Sequence, residues 1–194
     1  MRDVASITMP KDLDDVDAVV ALTKGWLDDH MAASLACLHY RYSLTLRSLS
    51  SQWLVATQLG SSECGDGEST PSDIESFLWN RASGKEVSPW DWLAESAPAN
   101  TPGPALQAII MKFTRFDSAP SDCREAIESN AEYVVWPTSR GLVFEGMVYS
   151  SRACLFETEV PYEALRQFMT KAGLDAAASF QHEKARDLYD DGLQ

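Results

Sequence analysis

A change in the spacing of apolar residues at Glu132 constrains the fold more than any other feature of the sequence. From there, EYVVW, GLVFEGMVY and ACLFETEV are rich in β-branched and aromatic residues, and the stretches PTSRG and SSR separate them. Such residues favour strands, and short polar interruptions favour turns. The pattern predicts three antiparallel strands in a meander.

Helical spacing follows the predicted meander. PYEALRQFM begins at Pro161, and LDAAASFQHEKARDLYDD follows Gly173, each with apolar residues three or four positions apart. Proline is tolerated in the first turn of a helix, where its missing N–H costs nothing. We therefore expect two closing helices.

Helical spacing also marks the start of the chain. KDLDDVDAVVALTKGWLDD, from Lys11 to Asp29, has acidic residues in its first turn, which the helix dipole favours, and Gly25 is its predicted end. Residues 31–59 fit a helical stripe and a strand alternation alike. We favour the helix because the stripe is longer and stops at Gly60, a natural cap. The alternative is a long strand that leads into a short helix.

The middle of the chain alternates loops with short helices. Residues 60–72 have loop composition, and APANTPGP at 97–104 is a clear break. SDIESFLW and SPWDWLAES begin with capping residues or proline and predict short helices. Ala105–Phe116 and SDCREAIES predict two more.

Together these segments predict an α+β fold. It has a mostly helical amino-terminal part, and a three-stranded antiparallel meander followed by two helices at the carboxyl end. We expect one domain over residues 1–194. If it divides, the boundary lies at 97–104, between a helical part (1–96) and an α+β part (105–194).

Acidity narrows the classes of partner. The chain has 29 acidic and 16 basic residues, a net charge of −13, and no cluster of three or more basic residues. Nucleic-acid binding needs a basic patch to neutralise phosphates, so direct binding is disfavoured. An acidic surface attracts a basic protein partner by steering, although solubility alone also explains the charge.

The cysteines and the opening residues predict a cytoplasmic, reduced setting. The four cysteines form no CxxC pair, and MRDVASITMPKD lacks the apolar run of a secretory signal. No stretch of about eighteen apolar residues occurs, so no membrane span is expected. The cysteines are Cys37, Cys64, Cys123 and Cys154.

No cluster of metal donors has suitable spacing. Asp28, Asp29 and His30 are consecutive, with His39 further along. Consecutive helical residues point about 100 degrees apart, so these side chains do not converge on one ion. The acidic run 12–17 lacks the glycine and glutamate of a calcium loop. We expect no metal site and no cofactor.

Motifs for nucleophiles and phosphates are also missing. The sequence has no GxSxG, GxxxxGK or GxGxxG. Cys123 lies beside Arg124 at a predicted helix start, where the dipole and a cation favour the thiolate. Cys154 lies in an apolar strand and is better explained as core. We expect no catalytic residue, while acidic pairs are too numerous for any one to stand out.

Three tryptophans lie among acidic residues between positions 79 and 95. Aromatic anchors ringed by acid suit the capture of a basic, partly apolar partner surface. The alternative is that the rings pin short helices onto the core. The predicted partner-binding residues are Trp79, Glu86, Trp90, Asp91, Trp92 and Glu95.

The stretch 133–194 resembles a small bacterial family, domain of unknown function 1488. The family pattern is a hairpin ending in a buried cysteine, a helix with an Ala-Leu pair, and a last helix near an Ala-Phe. The matching residues are Val143, Phe144, Gly146, Cys154, Ala164, Leu165 and Phe180, while His182, Glu183, Lys184 and Arg186 only approximate the charged last-helix signature. The first 130 residues have no counterpart. The resemblance implies a compact α+β unit and no particular activity.

Three function classes follow. The leading one is a noncatalytic binding protein of bacterial or phage origin that blocks a basic surface of a protein partner, such as a nucleic-acid-handling complex. An anti-CRISPR-like, nucleic-acid-mimicking inhibitor and a toxin-immunity protein are examples. The alternatives are a small enzyme whose site is assembled from distant residues, and a structural or regulatory homodimer.

Overall fold

Strands, not helices, dominate the first hundred residues of the protein. The computed structural model describes residues 6–8, 16–35, 37–64, 68–69, 73–94, 96–97, 101–115, 124–125, 127, 132–147, 156–182 and 186–187. The strands in these ranges are β1 (Ser6–Thr8), β2 (Cys37–Leu49), β3 (Trp53–Cys64), β4 (Glu68–Ser69), β5 (Asp73–Asn80), β6 (Lys85–Glu86), β7 (Ser96–Ala97), β8 (Thr101–Pro102), β9 (Glu132–Pro137), β10 (Gly141–Met147), β11 (Phe156–Pro161) and β12 (Arg186–Asp187).

Helices flank these strands in the chain. The α-helices are α1 (Val16–Ser34), α2 (Pro104–Phe113), α3 (Tyr162–Leu165) and α4 (Lys171–His182), and 3₁₀ turns span Pro89–Trp92 and Arg166–Phe168. The fold is therefore a mixed α/β arrangement, and the predicted mostly helical amino-terminal part is wrong.

The described strands form three sheets. The largest has the order β1-β2-β3-β5-β6, with β12 beside β2 and β4 beside β3. A second sheet has the order β11-β10-β9, and β7 and β8 form a small third one. Strand β1 runs parallel to β2, with Ile7 opposite Leu44.

The chain forms two compact units. The first comprises Met1–Leu46 and Ala56–Glu75, and the second comprises Arg47–Val55 and Ser76–Gln194. Strands β2, β3 and β5 therefore continue from one unit into the other. Residues 97–104 belong to the second unit, and the prediction of one domain stays a prediction.

Residues 31–59 contain the largest correction. Along β2, Tyr42, Leu44 and Leu46 are buried while the residues between them are partly exposed. Burial of every second residue is typical of a strand that packs one face against a core. The predicted helix over residues 31–59 is therefore wrong from Cys37 on, although its apolar stripe is longer than the strand alternation. Gly60 lies inside β3 and ends no helix.

The segment SDIESFLW is a strand as well. In β5, Ile74 and Leu78 are buried, and the Ser76 hydroxyl donates to the Val135 carbonyl at 2.9 Å. Phe77 and Trp79 point to the other face of the strand, because neighbouring strand residues alternate. The predicted short helix is wrong for this reason. The predicted loop at 60–72 is wrong where the structure describes it, since β3 runs to Cys64 and Glu68–Ser69 form β4.

Helix α1 ends later than predicted. It continues through Gly25 to Ser34, and a Cβ at Gly25 would meet nothing within 4 Å. A glycine inside a helix costs roughly 0.5–1 kcal/mol but does not by itself end it. The predicted stop at Gly25 is wrong.

The predicted meander is present, and so are the two closing helices, but the last one ends at His182, and Arg186–Asp187 within its predicted range form strand β12 beside β2. Strand β10 pairs antiparallel with β9 and β11, with Phe144 opposite Val135 on one side and Thr158 on the other. The predicted helix at 105–116 corresponds to α2, and the two closing helices begin at Tyr162 and Lys171. The core of the second unit lies between this sheet and the helices, around Phe144, Leu106 and Phe180.

Two cysteines of the first unit form a disulfide. Cys37, the first residue of β2, is bonded to Cys64, the last residue of β3. Disulfides are rare in reducing compartments, so this bond is at odds with the predicted reduced setting. Cys123 and Cys154 lie outside the described residues. Among the described helices, none is long and apolar enough to cross a membrane.

Candidate functional site

Two of the three tryptophans in the predicted binding stretch belong to the core. Trp90 and Trp92 are buried in the 3₁₀ turn, Trp90 edge-on to Phe144 at 6.1 Å and Trp92 edge-on to Trp53 at 5.7 Å between ring centroids. The core explanation fits these two rings, which hold the turn in place. They offer no exposed surface to a partner in this fold.

Trp79 is the ring of the three that reaches the surface. It is half-buried and stacks on Phe77 with centroids 5.6 Å apart and planes 12° apart. Exposed Glu86 on β6 lies directly opposite Trp79 in the antiparallel register, so both side chains share one face. We call Phe77, Trp79 and Glu86 the aromatic-acidic surface. Asp91 is exposed in the 3₁₀ turn, and Glu95 lies outside the described residues.

The first unit contains a polar cluster that joins α1 to β2 and β3. The Trp26 indole N–H donates to Gln58 Oε1, and His30 Nε2 lies 3.0 Å from the same oxygen. His30 Nδ1 is hydrogen-bonded to the Tyr40 hydroxyl. Gln58 Nε2 donates to Glu75 Oε2 at 3.5 Å. We call these five residues the His30 cluster.

The donors of the His30 cluster determine the tautomer of its histidine. An indole N–H can only donate, so the Gln58 atom facing Trp26 must be the carbonyl oxygen. His30 Nε2 therefore carries the proton and donates to that oxygen, which leaves Nδ1 to accept from Tyr40. Every nitrogen of the ring has a partner, as expected of a structural histidine.

Burial controls both titratable rings of the cluster. It lowers the pKa of His30 from its ordinary 6.5, against the hydrogen bond that His30 donates to Gln58 and the charge of Asp29. Burial, with the neighbouring Tyr42, raises the pKa of Tyr40 to about 12. Tyr40 therefore stays protonated near neutral pH and keeps donating to His30. The cluster holds a neutral histidine and contains no nucleophile.

A carboxylate pair lies on strands β10 and β11. Glu145 and Glu157 are directly opposite in the register of β10 and β11. The Arg47 guanidinium contacts Glu157 at 3.3 Å, and its carbon lies 4.9 Å from the centre of the Trp136 ring. Like charges opposite each other destabilise a sheet, so one pair stands out after all among the many acidic residues.

The pair is unequal. Burial, and then the charge of Glu157, raises the pKa of Glu145 to about 7, although Arg47 opposes the shift. Glu157 is instead ion-paired with the same arginine. Two carboxylates in such different environments are typical of an acid and a base working together, but also of a strained structural pair.

Asp28 and Asp29, which precede His30 on α1, are not members of the His30 cluster. Among the described residues, no group of three or more His, Cys, Asp or Glu side chains could hold a metal ion. Asp28 and Asp29 are exposed on α1, whereas His30 is engaged by Tyr40 and Gln58. Of the Cys123–Arg124 pair, Arg124 is described and exposed, and Cys123 is not described.

Sequence reasoning missed both the His30 cluster and the carboxylate pair. The His30 cluster joins elements far apart in sequence, and the carboxylate pair depends on the register between β10 and β11. The alternation of Tyr40 and Tyr42 was the available indication, because it places both rings on one face of a strand.

Comparisons with known proteins give a distant structural likeness. No protein-family model matches the sequence, and no curated protein matches it. A DUF3298 family protein from Pseudomonas aeruginosa PAO1 is 13% identical, with a TM-score of 0.42, over 79% of this chain and 70% of that one. A DUF3298 family member from Bacteroides fragilis NCTC 9343 is 12% identical, with a TM-score of 0.43, over 85% and 73%. The resemblance of residues 133–194 to the 1488 family stays a prediction.

Proposed function

We propose that this chain is a noncatalytic binding protein whose aromatic-acidic surface occupies a basic surface of a protein partner. The observation that carries the proposal is the stacked, half-exposed pair of Phe77 and Trp79 with Glu86 opposite. The nucleic-acid-mimicking anti-defence inhibitors and the toxin-immunity proteins are the classes we expect it to join.

Physical chemistry favours a basic partner at this surface. Rigid aromatic rings supply contact area at small entropic cost, and arginine stacks well on them. Glu86 adds a carboxylate within reach of the same guanidinium, and the net charge of −13 speeds the encounter. Asp91 and Glu95 add acidic residues further along the sequence, and buried Trp90 and Trp92 anchor the 3₁₀ turn that carries Asp91.

A purification followed by matched variants tests the proposal. The full chain, used as bait at low salt in extracts of its source organism, is expected to retain one dominant basic protein. With that protein purified, Trp79→Ala should weaken binding by about 30-fold, as interface hot spots do. Glu86→Lys should also weaken it, whereas Glu163→Lys, the same charge change at an exposed position of α3, should not. Equal losses in both charge variants would refute the surface.

A small enzyme is the second candidate, and the carboxylate pair favours it. Glu145 holds a proton near neutral pH beside the ion-paired Glu157, the two roles that general acid–base catalysis needs. A panel of glycoside and ester substrates separates the candidates. Turnover that Glu145→Gln and Glu157→Gln both abolish would favour the enzyme, and turnover that both retain would exclude the pair. A regulatory homodimer is distinguished by its mass in solution.

The setting in which the protein works is a separate proposal. A cytoplasmic location stays a prediction from the sequence, while the Cys37–Cys64 disulfide favours an oxidising compartment. Fractionation of source cells, with detection of the protein on a non-reducing gel, decides between the two.

A further inference from the structure

Helix α1 has a second apolar side that does not face the sheet. Leu27, Met31 and Leu35 recur every four residues from the helix into the turn that ends it, so they lie along one side. Met31 is 56% exposed and Leu35 is 75% exposed. Leu38, the second residue of β2, is 67% exposed. We call these four residues the α1 stripe.

The other side of α1 already has its partner. Buried Trp26 and half-buried His30 are bonded to Gln58 of β3, so the helix is fixed in orientation within its unit. These hydrogen bonds fix the rotation of α1 about its axis, so the α1 stripe stays exposed. Single exposed leucines are common on protein surfaces, but Met31 and Leu35 lie one turn apart at the end of the helix and are both more than half exposed, which is typical of an interaction site.

We propose that the α1 stripe is a second interaction surface, which binds an apolar row on an amphipathic, basic segment of a protein partner. Exposed Asp28 lies beside the stripe on the helix, and Lys24 lies at its amino-terminal end. The net charge of −13 opposes a second copy of the chain and an anionic membrane alike. A segment with leucines on one side and lysines on the other satisfies both the apolar contact and the charge.

A labelled synthetic helix with leucine on one face and lysine on the other is the probe. Fluorescence anisotropy with the full chain should show saturable binding, and the double variant Met31→Gln, Leu35→Gln should weaken it about tenfold or more. Leu174→Gln, at a 38% exposed leucine of α4, is the matched control and should bind like the wild type. Because all three positions are exposed, circular dichroism should show unchanged folding.

Other outcomes overturn the inference. Equal weakening in the Leu174 variant would mean nonspecific capture. If light scattering shows a dimer that Met31→Gln dissociates, the α1 stripe binds a second copy of the chain. If the protein binds phosphatidylserine vesicles and Met31→Gln abolishes that binding, the stripe binds a membrane. The inference goes beyond the aromatic-acidic surface: loss of probe binding with Trp79→Ala alone refutes the α1 stripe and leaves the proposed function standing.

Discussion

The substitution Glu145→Gln tests the carboxylate pair of the second sheet with a defined pH signature. Glu145 faces Glu157 across β10 and β11, and Arg47 approaches from β2. Glutamine keeps the shape of a protonated glutamate but cannot ionise. We therefore expect the variant to match the wild type in acid and to be more stable in mild alkali.

The magnitude follows from proton linkage. The pKa of Glu145 rises from an ordinary 4.5 in the unfolded chain to about 7 in the folded one. The stability that this group contributes is therefore fully present below pH 4.5 and is lost as pH rises through 7. At about 1.4 kcal/mol per pH unit, the upper bound on the loss is about 3 kcal/mol. Solvent screening at this partly exposed side chain reduces it, so we expect Glu145→Gln to gain roughly 1–3 kcal/mol at pH 8.

Urea denaturation at a series of pH values measures this difference directly. The expected result is coincident unfolding curves near pH 5 and a higher midpoint for the variant at pH 8, with an unchanged slope. Glu163→Gln, at an exposed position, is the control and should shift neither curve. A variant less stable than the wild type at pH 8 would show that the ionised Glu145 is stabilising, and the argument would fail.

Three further predictions concern the first unit. A Cβ at Gly60 would overlap the Tyr42 ring, so Gly60→Ala should destabilise the protein by roughly 1–3 kcal/mol in urea. A nonreduced digest should yield linked peptides of Cys37 and Cys64, and Cys37→Ser should cost about 3 kcal/mol and abolish the effect of dithiothreitol on the melting temperature. Burial lowers the pKa of His30, so the stability that its neutral form contributes is present above pH 6.5 and is lost as the pH falls. His30→Phe should therefore make the free energy of unfolding depend less on pH below 6.5. An unchanged pH dependence would contradict the assignment.

The sequence predicted correctly those elements in which the spacing of apolar residues agrees with the turn residues at the ends of the segment. The meander has strong β-formers between short turns, and its partners are close in sequence, as Phe144 and Val135 are. In residues 31–59 the two periods compete, because Leu38 and Leu46 satisfy both. The helical stripe included Leu38 as a core residue, but Leu38 is exposed. Pairing with β3 stabilises this segment as a strand.

Candidate sites were harder to predict for a related reason. Sequence identifies residue types but not which face of a strand they share, so Trp90 and Trp92 carried the same weight as Trp79 until burial separated them. The pairing of Glu145 with Glu157 depends on a register that no local motif encodes. Charge was available from the start, and it still gives the clearest indication of the kind of partner.

The most direct test of a charge-driven binding function is the salt dependence of the dissociation constant for the purified partner. Between low salt and about 0.15 M, we predict a steep loss of affinity for the wild type, because long-range attraction is screened. Glu86→Lys should bind more weakly at low salt and show a shallower slope. An affinity that does not change with salt, or equal slopes for both proteins, would contradict the account.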